Sequence, residues 1–185
     1  MRVIGLTGSI GSGKELVKDI IMKRFSCWYV HLSSMVRGEL EKKRTSFDRR
    51  TMQDLGNELR KRYGAHILAK LAVEYMQRDK ILIVDGIRNP GEIEFLRKKF
   101  GRDFILIAVD APQQLRFERT VQRARPTDPK TFEEFVALDD RDQGKGEPEH
   151  GQQTAKCRSL ADFVIVNSGT PAEVESKVNE IIQKI

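Results

Sequence analysis

The chain has 185 residues, a length that fits one domain. With 39% hydrophobic and 32% charged residues it can build a core under a heavily charged surface, and no apolar run approaches the ~20 residues that a bilayer-spanning helix needs. The net charge of +6, from 33 basic and 27 acidic residues, favours anionic partners (nucleotides, nucleic acid or phosphorylated metabolites) without choosing among them.

The first element is a short apolar run, Val3-Ile4-Gly5-Leu6. Gly8-Ser9-Ile10-Gly11-Ser12-Gly13-Lys14 follows, and then a helical segment to Arg24 with Leu16, Ile20 and Ile21 at core-facing spacing. Strand, glycine-rich turn and helix is the context of a phosphate-binding P-loop. The glycines let successive backbone N–H groups turn inward as an anion nest, and the helix aims its positive end at the same point. Lys14 adds a point charge for the β- and γ-phosphates. Gly8, Ser9, Ile10, Gly11, Ser12, Gly13, Lys14 and Glu15 are therefore the candidate nucleotide-binding residues. The full pattern ends in Lys-Ser/Thr, whose hydroxyl sits on Mg²⁺. Here Glu15 and Leu16 follow the lysine, so either the metal is held through water and another carboxylate or the site is impaired.

Cys27 to Leu32 reads as the second strand, with Ser33 or Ser34 capping a helix to Lys43. Helical spacing recurs over Asp48–Tyr63, stopped by Gly64, and over Ala65–Gln77. Lys80 to Asp85 is a continuous apolar run ended by an acid, as in a strand buried on both faces of a parallel sheet. Asn89-Pro90-Gly91-Glu92 starts a helix that buries Ile93, Leu96 and Phe100 and stops at Gly101. Phe104–Val109 is the next buried strand, and a helix through Leu115, Phe117 and Val121 runs to Arg125. Pro126–Pro129 breaks the pattern, and Thr131-Phe132-Glu133-Glu134 is a capping box for a helix with Phe135 and Leu138. Gly144–Gly151 reads as a mobile loop, Gln152–Leu160 as a short helix and Phe163–Val166 as the last strand. Thr170-Pro171-Ala172-Glu173 caps a final helix with an apolar stripe of Val174, Val178, Ile181 and Ile185.

Five strands alternating with helices predict an α/β fold, a five-stranded parallel sheet with helices on both faces. Ligands of such sheets bind beyond the strand C-termini, where the P-loop, Leu32-Ser33, Asp85 and Asn167 gather. Asp85 is the candidate Mg²⁺ carboxylate. Cys27 and Cys157 are isolated thiols without metal or disulfide spacing, and the chain enters a strand at once with no signal-peptide pattern, so the expected compartment is the reducing cytoplasm. His31, His66 and His150 share no spacing that suggests a metal site or a triad.

Over nearly its whole length the chain resembles the nucleoside-monophosphate-kinase-type P-loop phosphotransferases. It is especially similar to small archaeal nucleotide kinases related to adenylate kinase, and next to the dephospho-coenzyme A kinases. The likeness rests on Gly5-Leu6-Thr7-Gly8 through Lys14, on Asp85-Gly86-Ile87-Arg88, on the arginines around Arg123 and on Ala161 through Gly169. It implies one kinase domain over residues 1–185, with a core of 1–32, 79–125 and 152–185, a helical acceptor-binding insert over 33–78 and a small lid over 126–151. It implies ATP and Mg²⁺ as cofactors and a small nucleotide acceptor. Neither a membrane nor, by preference, nucleic acid is a partner. By the same resemblance Arg37 and Arg88 bind the acceptor phosphate, and Asn167 and Gly169 cradle the adenine ring. The lid arginines Arg119 and Arg123 close on the transferring phosphoryl, with Arg125 and Arg141 as further substrate-binding candidates. The reaction expected is γ-phosphoryl transfer from ATP to a nucleoside monophosphate. One alternative is phosphorylation of a hydroxyl, although the aspartate that dephospho-coenzyme A kinases carry just after the second strand is replaced here by Leu32-Ser33-Ser34. The other is a nucleotide-binding switch or assembly ATPase.

Overall fold

The computed structural model describes residues 1–43, 48–74 and 81–184. In chain order the elements are β1 (Arg2–Thr7), α1 (Lys14–Arg24), β2 (Cys27–His31), α2 (Leu32–Lys43), α3 (Arg49–Tyr63), α4 (Ile67–Glu74) and β3 (Ile81–Ile87). They continue with α5 (Pro90–Phe100), β4 (Phe104–Asp110), α6 (Gln113–Arg123), α7 (Phe132–Gln143), α8 (Thr154–Ser159), β5 (Phe163–Val166) and α9 (Pro171–Lys184). Thr45, Tyr75–Gln77, Lys80 and Ile185, which the sequence assigns to the insert, a helix, a strand and an apolar stripe, lie outside the described residues.

The five strands form one parallel sheet in the order β2-β3-β1-β4-β5. Alternate side chains of the central strands feed two cores, because successive residues of a strand point to opposite faces. Val3, Leu82, Val84 and Leu106 pack under α2 to α5 and α8. Ile4, Leu6, Ile83, Ile107 and Ile165 pack under α1 and α9 through Val17, Ile20, Ile21, Val174, Val178 and Ile181. Leu16 is only partly buried at the edge of that second core. Burial on both faces is why the strands read as unbroken apolar runs.

Both capping boxes form as the sequence predicts. Asn89 accepts from Gly91 N–H while Glu92 accepts from Asn89 N–H, and Thr131 and Glu134 exchange the equivalent pair. Four expectations need correcting. Leu32 belongs to α2 rather than β2, and the cap of α2 is not a serine: His31 Nδ1 accepts the Ser33 N–H at 3.1 Å. β3 continues beyond Asp85 to Ile87, with a bulge at Gly86 (φ +81°) that shifts its register against β1 between Leu6 and Thr7. α6 ends at Arg123, because Ala124 adopts a left-handed φ of 49° and closes the helix, so Arg125 lies beyond it. Gly144–Gly151 is tied down: Asn89 Nδ2 donates to the carbonyls of Glu149 and Gly151 at 2.9 and 2.7 Å, and Gln153 Nε2 donates to that of Pro148 at 3.1 Å.

Candidate active site

The loop from Gly8 to Lys14 joins β1 to α1 at the C-terminal edge of the sheet. Gly13 is the N-cap of α1, in a left-handed conformation (φ 94°, ψ 24°), and no side chain caps the helix. The first-turn amides of α1 are therefore left to an anion. Lys14 Nζ donates to the carbonyls of Gly8 and Ser9 at 2.5 and 3.1 Å. Burial pushes its pKa down from 10.5 to about 8, with Asp85 opposing the shift and Arg88 adding to it. Three side chains brace the loop from behind. Arg116 Nη1 donates to Ile10 O at 3.1 Å, Asn167 Nδ2 to Ser12 O at 3.0 Å and Gln143 Nε2 to Ser9 Oγ at 2.5 Å.

Asp85 faces this loop and is 4% exposed. The parallel register sets His31 beside it and Tyr29 beside Ile83, so Tyr29, His31 and Asp85 share one face of the sheet. Tyr29 donates its hydroxyl to Asp85 Oδ2 at 3.0 Å, and His31 Nε2 lies 3.7 Å from the same oxygen. Because His31 Nδ1 accepts from Ser33 N–H, the neutral ring carries its proton on Nε2, toward Asp85. Burial lowers the His31 pKa to about 4 against the pull of Asp85, and burial together with Asp85 raises that of Tyr29. Gly86 makes this packing feasible, since a Cβ there would stand 2.7 Å from His31 Cε1. Asp85 Oδ1 is buried with no partner among the described residues. A single carboxylate oxygen kept free beside a phosphate-binding loop fits Mg²⁺, which takes one or two carboxylates and completes its shell with phosphate oxygens and water. Among the described residues no group of three or more His, Cys, Asp or Glu could hold a metal without such outside ligands.

A cleft of about 410 Å³ opens over these groups. Lys14, Glu15, Asp85, Arg37, Arg88, Arg119, Arg123 and Arg125 line it, as do Tyr29, His31 and Arg49. Arg88 pairs with the buried Asp142 of α7. Arg123 Nε and Nη2 donate to Asp128, each at 2.8 Å, and Arg49 Nη2 donates to the same carboxylate at 2.7 Å. Arg119 donates to Asn167 O and Oδ1 at 3.0 and 3.2 Å. Arg125 pairs with Glu15 at 2.8 Å, with both side chains more than half exposed. Arg37 is an exposed residue of α2 at the cleft wall.

Several expected residues do not line the cleft, Gly8 and Ser9 at the start of the loop among them. Arg141 is outside the cleft, donating to Glu147 at 2.6 Å and pairing with Asp54 at 2.7 Å. Asn167 and Gly169 do not line it either: Asn167 is spent on Ser12 and Arg119, and Gly169 packs on Glu173. Arg116 of α6 is 5% exposed and ties Asp139 of α7 to the P-loop carbonyl of Ile10. Sequence reasoning missed Tyr29, His31, Arg49 and Asp128. A signal for His31 existed in its position at the end of a strand and directly before a helix start, where side chains face the ligand edge of the sheet.

A parallel sheet in this order, with a P-loop after its first strand and an acid at the end of the neighbouring β3, defines a P-loop domain with the kinase-type fold. A family model described as an AAA domain matches residues 4–140. The UPF0200 protein of Sulfurisphaera tokodaii is 33% identical over 186 residues, covering 100% of this chain and 98% of that protein. The UPF0200 protein of Thermococcus onnurineus is 32% identical over 188 residues, covering 99% and 97%. The chain belongs to this UPF0200 family of P-loop proteins. Among solved structures it is similar to TT1252 from Thermus thermophilus, with a TM-score of 0.63 and 20% identity over 100% of this chain and 97% of that one. It is also similar to shikimate kinase from Acinetobacter baumannii in complex with shikimate, with a TM-score of 0.58 and 15% identity over 100% and 94%. At these identities the likeness is one of fold. No helix among the described residues is long and apolar enough to cross a membrane.

Proposed function

We propose that the protein transfers the γ-phosphoryl group of ATP, with Mg²⁺, to the phosphate of a nucleoside monophosphate or related small nucleotide. One observation carries this reading. Lys14, an Asp85 oxygen left without a partner, and the guanidinium groups of Arg37, Arg49, Arg88, Arg119 and Arg123 belong to the same cleft. A phosphate acceptor is already ionised and needs no general base, so positioning and charge neutralisation suffice for catalysis. In this reading the P-loop amides and Lys14 hold the β- and γ-phosphates. Asp85 Oδ1 would hold the divalent ion, which when bound neutralises charge on the transferring oxygens. Arg119 and Arg123 orient the transferring group, and Arg37 and Arg88 the acceptor phosphate.

Transfer to a hydroxyl would call for a proton acceptor at the end of β2. His31 stands there, but Ser33 occupies its Nδ1 and its Nε2 proton points to Asp85. This supports the phosphate acceptor over the hydroxyl. A coupled assay with Mg²⁺-ATP and a panel of ribo- and deoxyribonucleoside monophosphates tests the reading. Turnover with at least one of them is expected. Turnover with dephospho-coenzyme A alone, or hydrolysis of ATP at full rate without any acceptor, would show it to be wrong.

A further inference from the structure

Along the wall of the cleft formed by α3, three buried polar atoms have no hydrogen-bond partner among the described residues: Arg49 Nε, Gln53 Oε1 and Arg60 Nη1. Arg60 is 2% exposed; its Nε and Nη2 both donate to Glu92 Oε1, at 3.0 and 2.8 Å, and its Nη1 has no partner. Gln53 is 3% exposed; its Nε2 donates to Gln152 Oε1 at 3.1 Å and Leu138 O at 3.4 Å, and its Oε1 has no partner. The Leu138 carbonyl, which can only accept, sets the amide orientation, since a flipped amide would turn its oxygen against it. Both residues line the cleft. Their i, i+7 spacing puts them on one side of α3. Gly56 lies between them on the same side and also lines the cleft; a Cβ there would stand 3.5 Å from Arg60 Nη1 and 3.8 Å from Val36 Cγ2. The missing side chain keeps the space before Nη1 open.

Leaving a buried donor or acceptor unpaired is unfavourable, and folded proteins keep few of them. Here a free donor and a free acceptor stand in one cleft, which the apolar side chains of Val36, Met52 and Leu68 also line. The charge of Arg60 is already balanced by Glu92, which is itself 0% exposed. Nη1 therefore offers a hydrogen bond rather than a net positive charge. A carboxylate placed here would meet Gln53 Oε1 lone pair to lone pair. A planar heterocycle that presents both a hydrogen-bond acceptor and an N–H donor supplies the pair of groups that these two atoms call for.

We infer that Arg60 and Gln53 read the base of the acceptor. Arg60 Nη1 donates to a ring nitrogen or carbonyl oxygen, and Gln53 Oε1 accepts from an exocyclic amino group or ring N–H. The inference rests on the phosphoryl-transfer reading above and deepens it. It names the acceptor as a nucleobase-bearing phosphate rather than a phosphorylated sugar or a sugar acid.

Calorimetry on the full chain tests it, with AMP, GMP, CMP and UMP against ribose 5-phosphate as the probe without a base. At least one nucleotide is expected to bind tenfold or more tightly than ribose 5-phosphate. In Gln53→Leu that ratio falls roughly tenfold, the worth of one buried hydrogen bond. Gly56→Leu, which fills the gap before Nη1, lowers it as well, and thermal melts show that each variant is folded. Equal binding of all five probes by the wild type, or a ratio unchanged in both variants, overturns the inference. ATP binding is measured alongside. Wild-type protein that takes ATP but does not favour a base loses this inference alone, whereas protein that takes no ATP loses the phosphoryl-transfer reading.

Discussion

The affinity for ATP is expected to fall as pH rises above about 8, because Lys14 loses its proton there. Burial drives its pKa from 10.5 to about 8, with Asp85 and Asp142 opposing and Arg88 and Arg49 reinforcing the shift. A triphosphate beside Nζ favours the charged form, so the Lys14 pKa rises on binding and a proton is taken up. The free protein carries that proton in about 0.9 of molecules at pH 7, half at pH 8 and about 0.1 at pH 9, so affinity drops roughly tenfold between pH 7 and 9. His31, with its pKa near 4, does not titrate in that window. Calorimetry at pH 8 in two buffers of unlike ionisation enthalpy should report an uptake of about half a proton per nucleotide. Lys14→Arg keeps the charge at every pH of interest and should abolish the uptake. Wild-type protein that binds ATP at pH 8 with no proton exchange would refute the reasoning.

Four further outcomes are expected. Asp85→Asn should lower turnover by on the order of 10²–10³ and weaken Mn²⁺ binding in the presence of ATP, read by electron paramagnetic resonance. Tyr29→Phe removes the donor that holds Asp85 Oδ2 and should weaken the same Mn²⁺ signal by roughly tenfold, with ATP binding in the absence of metal as the comparison. Arg60→Met leaves Glu92 buried without its partner; a loss of about 3–5 kcal/mol, or a melting point lower by about 10 °C, should follow in calorimetric scans. Glu15→Ser should lower the Mg²⁺ concentration needed for half-maximal ATP binding, because a hydroxyl takes the place of a second carboxylate beside Lys14. An unchanged Mg²⁺ titration would argue against a metal at that place.

What the sequence made legible was local. The P-loop, the capping boxes at Asn89 and Thr131, and the unbroken apolar runs of β3 and β4 each declare themselves within ten residues, so the sheet and its ligand-binding edge follow from pattern alone. The Tyr29–His31–Asp85 group did not follow, because it depends on the parallel pairing of β2 with β3 across more than fifty residues. The contacts of Arg60 with Glu92 and of Arg116 with Asp139 are likewise tertiary. On α6 the pattern misled: Leu115, Phe117 and Val121 suggest an apolar stripe, yet Val121 is 47% exposed and the residues that bury are Arg116 and Thr120. That face packs on the P-loop backbone and on Asp139 and Phe135 of α7 through an arginine and a threonine, so its burial leaves no hydrophobic period to read.

The arginines of the cleft are not equivalent, and their partners say why. Guanidinium groups gathered around one cleft repel one another, and the fold offsets this with acids: Asp142 for Arg88, Asp128 for Arg123 and Arg49, and Glu15 for Arg125. Burial would raise the Asp128 carboxyl, but the hydrogen bonds from Arg123 and Arg49 outweigh it and hold it below its ordinary value. A phosphate presents the same fork of oxygens as Asp128 with more charge, so to reach Arg123 it must compete with an ion pair already made. Arg119 differs. Its described partners are the two neutral oxygens of Asn167, the residue that also holds the Ser12 carbonyl of the P-loop. Its charge can thus serve a phosphate without breaking a salt bridge, from a position fixed to the loop itself. Of the two arginines that the sequence nominates on α6, Arg119 is thus the one that a phosphate would reach without displacing a salt bridge, and Arg123 the one that it would reach only by displacing Asp128.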